Sequence, residues 1–147
     1  MRLIASILII TPTLLLCSCS EPKQAESNTP AESASPSPSS WSVQNVTPVD
    51  AQKLLAENKD IRVLDVRTPA EYAQGHIAGA VNVDFKAADF ADKVDKLDKN
   101  TAYIVHCRSG KRSSGSLAIL KDKGFGSIYH LNKGFNAWKD SGMLTAP

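Results

Sequence analysis

Within this 147-residue chain, chemistry is best concentrated in His106-Cys107-Arg108-Ser109-Gly110-Lys111-Arg112. A cysteine is followed within five positions by three cations, Arg108, Lys111 and Arg112, and by Gly110 between them. The preceding run, Ala102–His106, reads as a strand, and Arg112–Lys123, ended by Gly124, as a helix. A loop that joins a strand to a helix N-terminus offers several backbone N–H groups and the positive end of the helix dipole. A thiol placed there, beside three cations, is pulled below its free pKa of roughly 8.5 and becomes a thiolate near neutrality. The thiolate is the nucleophile. Gly110 lets the loop close tightly with its amides turned inward. The competing reading is an inert buried cysteine beside a solvated basic turn.

The elements that must position this loop alternate strand and helix. Ser42–Val46 is a short strand, and Thr47-Pro48 starts a helix to about Glu57, with Thr47 as N-cap and Pro48 at the first position. Ile61–Val66 is a buried strand by its branched apolar content. Thr68-Pro69-Ala70-Glu71 repeats the start signal, with Glu71 placed to close a capping box, and Gly75 stops that helix. Ala80–Val83 is a third strand, and Ala87–Leu97 carries Phe90, Val94 and Leu97 at helical spacing. After the strand and helix around Cys107 come a fifth strand, Ser127–Leu131, and a last helix near Gly134–Asp140. Strands separated by single helices imply right-handed crossovers. The expected fold is α/β, a five-stranded, mainly parallel central sheet with helices on both faces. In such sheets, sites form beyond the carboxyl ends of the strands, where Cys107 lies.

The first 40 residues are expected to lie outside the fold. Arg2 followed by the uncharged stretch Leu3–Leu16 is too short to span a bilayer comfortably and suits a signal peptide, 1–18. Its end, Leu16-Cys17-Ser18-Cys19, resembles a bacterial lipoprotein signal in which the lipidated cysteine follows a small residue. Ser18 makes Cys19 the lipidation site, and bulky Leu16 makes Cys17 the poorer candidate. Residues 19–40 then form the lipidated cysteine and a disordered tether: Ser20–Ser40 holds seven Ser and four Pro and no aromatic, Ile, Leu or Val. Such a tether spaces the domain roughly 25 Å from its lipid. Residues 41–147 remain as one domain, large enough to bury a core without staples.

Processing before Cys19 leaves Cys107 as the single free thiol of an exported chain. Three cysteines exclude a disulfide-dense scaffold. The balance of 17 Lys plus Arg against 15 Asp plus Glu disfavours nucleic acid as a partner. Ser20, where an aspartate resembles an inner-membrane retention signal, tilts the expected location to the outer membrane, with the domain in the periplasm or on the cell surface.

Asp65-Val66-Arg67, Glu71-Tyr72 and Gly75-His76-Ile77-Ala78-Gly79-Ala80-Val81-Asn82 resemble the structural signature of the rhodanese family. Cys107–Arg112 resembles its catalytic loop, and Gly134, Trp138 and Gly142 its closing motif, with Lys133 where the family often has a first glycine. The resemblance covers Val43 to Gly142 and implies sulfur transfer. Cys107 takes a sulfane sulfur from thiosulfate or a similar anionic donor as a persulfide, and a thiol or cyanide acceptor removes it. It also implies that the loop amides from Arg108 through Ser109, Gly110 and Lys111 to Arg112 hold the sulfur anion. Arg112, with Arg108 and Lys111, docks the donor. No cofactor and no metal are expected, and the domain is expected to be a monomer.

Two alternatives stay open. A persulfide carrier or sensor without turnover needs the same loop. A cysteine phosphatase or arsenate reductase shares His106-Cys107-x-x-Gly110, but its phosphate-binding arginine stands six residues after the cysteine, at the position of Ser113. Here the arginine is fifth. A thiol–disulfide oxidoreductase would need a C-x-x-C pair, and none survives processing. Asp65 and Arg67 read as a buried ion pair supporting the loops, and His76 as a hydrogen-bonded structural histidine. His106 reads as structural because adjacent strand residues face opposite sides. Trp138 reads as core, and Trp41 as exposed at the tether junction. Asp89, Asp92, Asp95 and Asp98 read as a solvated face of one helix.

Overall fold

In the computed structural model, residues 41–147 are described. The expected signal peptide, the expected lipidation site Cys19 and the expected tether to Ser40 lie outside the described residues. Both Thr-Pro pairs start helices by the same device. After strand β1 (Ser42–Val46), Thr47 accepts from the backbone N–H of Asp50 while the Asp50 carboxylate accepts from the Thr47 N–H, opening α1 (Pro48–Glu57). Strand β2 (Arg62–Asp65) leads to the matching box of Thr68 and Glu71 at the start of α2 (Pro69–Ala73). Such caps typically stabilise by about 1 kcal/mol each. The chain continues through β3 (Val81–Asn82), α3 (Phe90–Asp95), β4 (Tyr103–His106), α4 (Lys111–Asp122), β5 (Ser127–Leu131) and α5 (Gly134–Asp140).

The five strands form one parallel sheet in the order β1-β5-β4-β2-β3. Helices cover both faces, and the period-two alternation of the strands sorts the core into two layers. Val63, Ala102, Ile104 and Leu131 pack with Ala51, Phe135 and Trp138, on the face of α1 and α5. Leu64, Tyr103, Val105 and Ile128 pack with Phe90, Val94 and Leu120, on the face of α3 and α4. β4 is central and buried on both faces, so the residue that follows it is aimed from the middle of the sheet.

The structure corrects two expectations. Trp41 is partly buried and packs against the α3/α4 layer, because β1 pairs in register with β5 from Ser42 onward and brings its neighbour onto that face. The acidic run does not share one helix: α3 is only Phe90–Asp95, so Asp92 and Asp95 are helical, Asp89 is its N-cap and Asp98 follows it. The four remain exposed, and Asp89 and Asp95 pair with Lys93 and Lys99.

Candidate active site

The loop from Cys107 to Gly110 links the end of β4 to the first turn of α4. Its shape is set by two glycines that admit no side chain. Gly110 is the N-cap of α4 at φ +93°, and a Cβ there would stand 1.6 Å from the Asn132 carbonyl oxygen. Gly134, at φ +66°, lets the start of α5 come so close that a Cβ would lie 2.5 Å from the Cys107 carbonyl oxygen. That approach lets the backbone N–H of Phe135 donate to Cys107 O at 2.7 Å and that of Asn136 to Arg108 O at 3.0 Å. With its carbonyls held on that side, the loop turns its N–H groups the other way. Gly110 N–H donates to Cys107 Sγ at 3.2 Å.

Cys107 is 1% exposed, enclosed by the loop rather than displayed on it. Burial pushes the thiol up. Hydrogen bonds from the Ser113 backbone and hydroxyl and from the Ser109 and Arg112 backbones outweigh it, and the net direction is down. The lowering therefore comes from backbone donors at a helix start together with the Ser113 hydroxyl. Of the side-chain cations, Arg108 and Lys111 are exposed, while Arg112 is paired with Glu71 and also faces the Cys107 sulfur. Arg112 Nη1 donates to Glu71 Oε2 at 2.7 Å and Nη2 to Oε1 at 2.8 Å, a bidentate pair. These bonds lower the Glu71 pKa to about 2 and raise that of Arg112.

Asp65 and Arg67 form the expected buried ion pair. Arg67 Nη2 donates to Asp65 Oδ2 at 2.6 Å and to the Gly75 carbonyl at 2.8 Å. The same guanidinium lies 4.1 Å over the Phe135 ring, so the pair supports the helix that grips the loop. Asn82 completes it by donating to the carbonyls of Asp65 and Arg67. His106 faces this side, stacked on Phe135, while Cys107 packs in the opposite layer. Burial lowers the His106 pKa, and its Nε2 lies 3.8 Å from Asp65. His76 is held through Nδ1 to the Tyr72 carbonyl at 3.3 Å and stacks on the Tyr72 ring. A groove of about 380 Å³ opens beside the loop, lined by Arg67, Glu71, Gln74, Arg108, Asn136 and Lys139 among others.

Three contributors escaped the sequence reading. Glu71 is bonded to Arg112 across 41 positions, a pairing no local pattern announces. Ser113, on α4, donates to Sγ at 3.7 Å and lies 2.9 Å from His130 Nε2. His130 in turn lies 3.1 Å, through Nδ1, from Asn45 Oδ1. A signal for His130 existed. It alternates with Tyr129 and Leu131 on β5 and shares the face of Ile128, the face from which α4 rises.

An all-parallel α/β sheet places a cysteine loop, its thiol pKa lowered, at the carboxyl end of its central strand. The chain belongs to the rhodanese-like family: the model of the rhodanese-like domain matches residues 47–141. A sulfurtransferase of Allochromatium vinosum is 33% identical over 106 residues, 69% of this chain and 97% of its own length. The thiosulfate sulfurtransferase GlpE of Pseudomonas entomophila is 36% identical over 99 residues, 67% of this chain and 86% of its own. Among solved structures, a rhodanese-related protein from Thermoplasma volcanium superposes with a TM-score of 0.62 at 26% identity, over 70% of this chain and 97% of that one.

Proposed function

We propose that this protein is a sulfurtransferase that carries a sulfane sulfur on Cys107 between an anionic donor, thiosulfate or a similar species, and a thiol or cyanide acceptor. The observation that carries the reading is the buried Cys107 sulfur held by Gly110 N–H and Ser113 at the start of α4, with its pKa lowered. The thiolate attacks the outer sulfur of thiosulfate; a bond forms between Sγ and that sulfur as the donor's S–S bond breaks, and sulfite leaves with the electron pair. The N–H groups that held the thiolate then hold the persulfide anion. Acceptor attack returns the thiolate. The groove beside Arg108 and Lys139 gives anionic partners a cationic approach.

The relatives named sulfurtransferase support this reading over a phosphatase. So does the loop: the sixth position after the cysteine is Ser113, whose hydroxyl turns to the sulfur, and the fifth, Arg112, is held by Glu71. Incubation with thiosulfate should add one sulfur, ~32 Da, to the intact domain through the covalent step above. Cyanide should remove it, and Cys107→Ser should never acquire it. Cys107-dependent phosphate release from aryl phosphates by the wild type would overturn the assignment. A carrier role is distinguished by turnover, since a carrier forms the adduct but does not release sulfite repeatedly in the presence of cyanide.

The reading extends to location. Leu16-Cys17-Ser18-Cys19 supports an exported lipoprotein anchored through Cys19, with 41–147 on the far side of the inner membrane. Membrane fractionation and mass spectrometry of the Cys19→Ser chain decide it; acyl chains found on Cys17 would sink the assignment.

A further inference from the structure

Behind Cys107 runs a hydrogen-bonded chain that leaves the catalytic loop and ends at the edge of the sheet. The Ser113 oxygen lies 3.7 Å from Cys107 Sγ, 2.9 Å from the Gly110 carbonyl oxygen and 2.9 Å from His130 Nε2. It has one hydrogen and faces three acceptors. Which of them receives it depends on His130. That residue is buried in β5 beside Val105 of β4, and its Nδ1 is 3.1 Å from Asn45 Oδ1 on β1, its register partner.

We propose that His130 is a positioning residue for Cys107: acting through Ser113, it takes up the thiol proton and turns the Ser113 hydroxyl onto the sulfur. The inference deepens the sulfur-transfer reading and rests on it for the identity of the nucleophile. While Cys107 is still a thiol, Asn45 Oδ1 accepts from Nδ1–H, so the neutral ring presents a bare Nε2 and the Ser113 hydroxyl turns from the sulfur to donate to it. Activation moves two protons by one hydrogen bond each. The Cys107 S–H proton passes to Ser113 Oγ as Ser113's own proton passes to Nε2. A neutral thiol and imidazole become a thiolate and an imidazolium, with no change in total charge. The imidazolium then donates to Asn45 and to Ser113, and Ser113, released from Nε2, donates to the thiolate. No external proton acceptor is required in a loop where Cys107 is enclosed.

The surroundings fit this role. Burial lowers the His130 pKa against the opposing pull of the Gly110 carbonyl, so the resting ring is neutral with Nε2 unprotonated; the same burial weakens it as a base, and the imidazolium forms only together with the thiolate. Its neighbours are neutral: Asn45 from β1, Val105 from β4, Ser113 from α4 and the Gly110 carbonyl from the loop. Among the described residues no ion pair involves it, and the thiolate formed in the same step is the counter-charge the proposal gives its imidazolium; the cation that faces Cys107 itself is Arg112, on α4. A purely structural histidine requires its two hydrogen bonds but no coupling to the sulfur.

The test is the pH dependence of Cys107 alkylation by iodoacetamide, which reports the thiolate and uses no sulfur donor. In His130→Gln the alkylation midpoint should rise by about one pH unit, so that alkylation below the midpoint is about tenfold slower. Ser113→Ala should shift it similarly, and the double variant should shift no further, because both residues act as one chain. Circular dichroism confirms that the variants compared are folded. An unmoved midpoint in folded His130→Gln, or fully additive shifts, would overturn the proposal. A second measurement needs no change at His130: in a ¹⁵N titration, its ring should protonate at higher pH in the wild type than in Cys107→Ser, where no thiolate forms. Equal midpoints would overturn it as well. Because neither readout needs thiosulfate, a wild type that shows the coupling yet takes up no sulfur would support the relay and remove sulfur transfer.

Discussion

Glu71 and Arg112 join the capping box of α2 to the first turn of α4 through two parallel hydrogen bonds, 2.7 and 2.8 Å long. The same Glu71 carboxylate also receives the Thr68 N–H and hydroxyl. One carboxylate therefore closes a helix start on one side and fixes the loop arginine on the other. The arrangement holds Arg112 at the rim of the site, part-buried, with its charge paired to Glu71.

Because Glu71 titrates at about 2 in the folded chain against an ordinary 4.5, its contribution is fully present above pH 4.5 and is lost as pH falls from there through about 2. Glu71→Gln should cost about 1–2 kcal/mol at pH 7, allowing for partial solvent screening, and much less near pH 2. Urea denaturation at both pH values reads the difference. An equal loss at both would show that the charge on Glu71 contributes nothing.

Arg112→Ala should still form the persulfide, since Cys107 and the loop amides remain. It should need more thiosulfate for half-saturation, by roughly 3–10-fold, the effect of a partly neutralised surface charge. The deficit should shrink in high salt, where that charge is screened. Stopped-flow adduct formation at two ionic strengths measures both effects.

Gly110 and Gly124 both have positive φ, +93° and +83°, but differ in what surrounds them. A Cβ on Gly124 meets nothing within 4 Å, whereas one on Gly110 collides with Asn132 backbone. Gly124→Ala should therefore cost about 1–2 kcal/mol, the strain of left-handed backbone alone. Gly110→Ala should cost several kcal/mol more or displace the loop, with loss of Cys107 reactivity. Thermal melts and alkylation rates separate the two cases.

Asp65→Asn leaves the buried Arg67 guanidinium, 4% exposed, without its counter-charge. Breaking a buried pair from one side costs about 3–5 kcal/mol. Because Arg67 lies over Phe135, whose N–H holds the Cys107 carbonyl, hydrogen exchange at the Phe135 amide should also accelerate in folded Asp65→Asn.

Much of this fold is legible locally. Thr47-Pro48 and Thr68-Pro69 announce their helices because capping is a contact between residues three apart, and Ser42–Val46, Ser127–Leu131 and Gly134–Asp140 end where their patterns end. The placement of Cys107 between a buried strand and a helix start is local too, which is why the direction of its pKa shift follows from the sequence. Strand order, the grip of α5 on the loop, the Glu71–Arg112 pair and the path from Cys107 through Ser113 and His130 to Asn45 depend on elements 17 to 85 residues apart. Asn45 meets His130 only because β1 pairs with β5 at the sheet edge. Hydrogen bonds between distant side chains carry no periodic imprint in the chain, so only the packed sheet could decide which donors surround the sulfur and which side chains stand behind them.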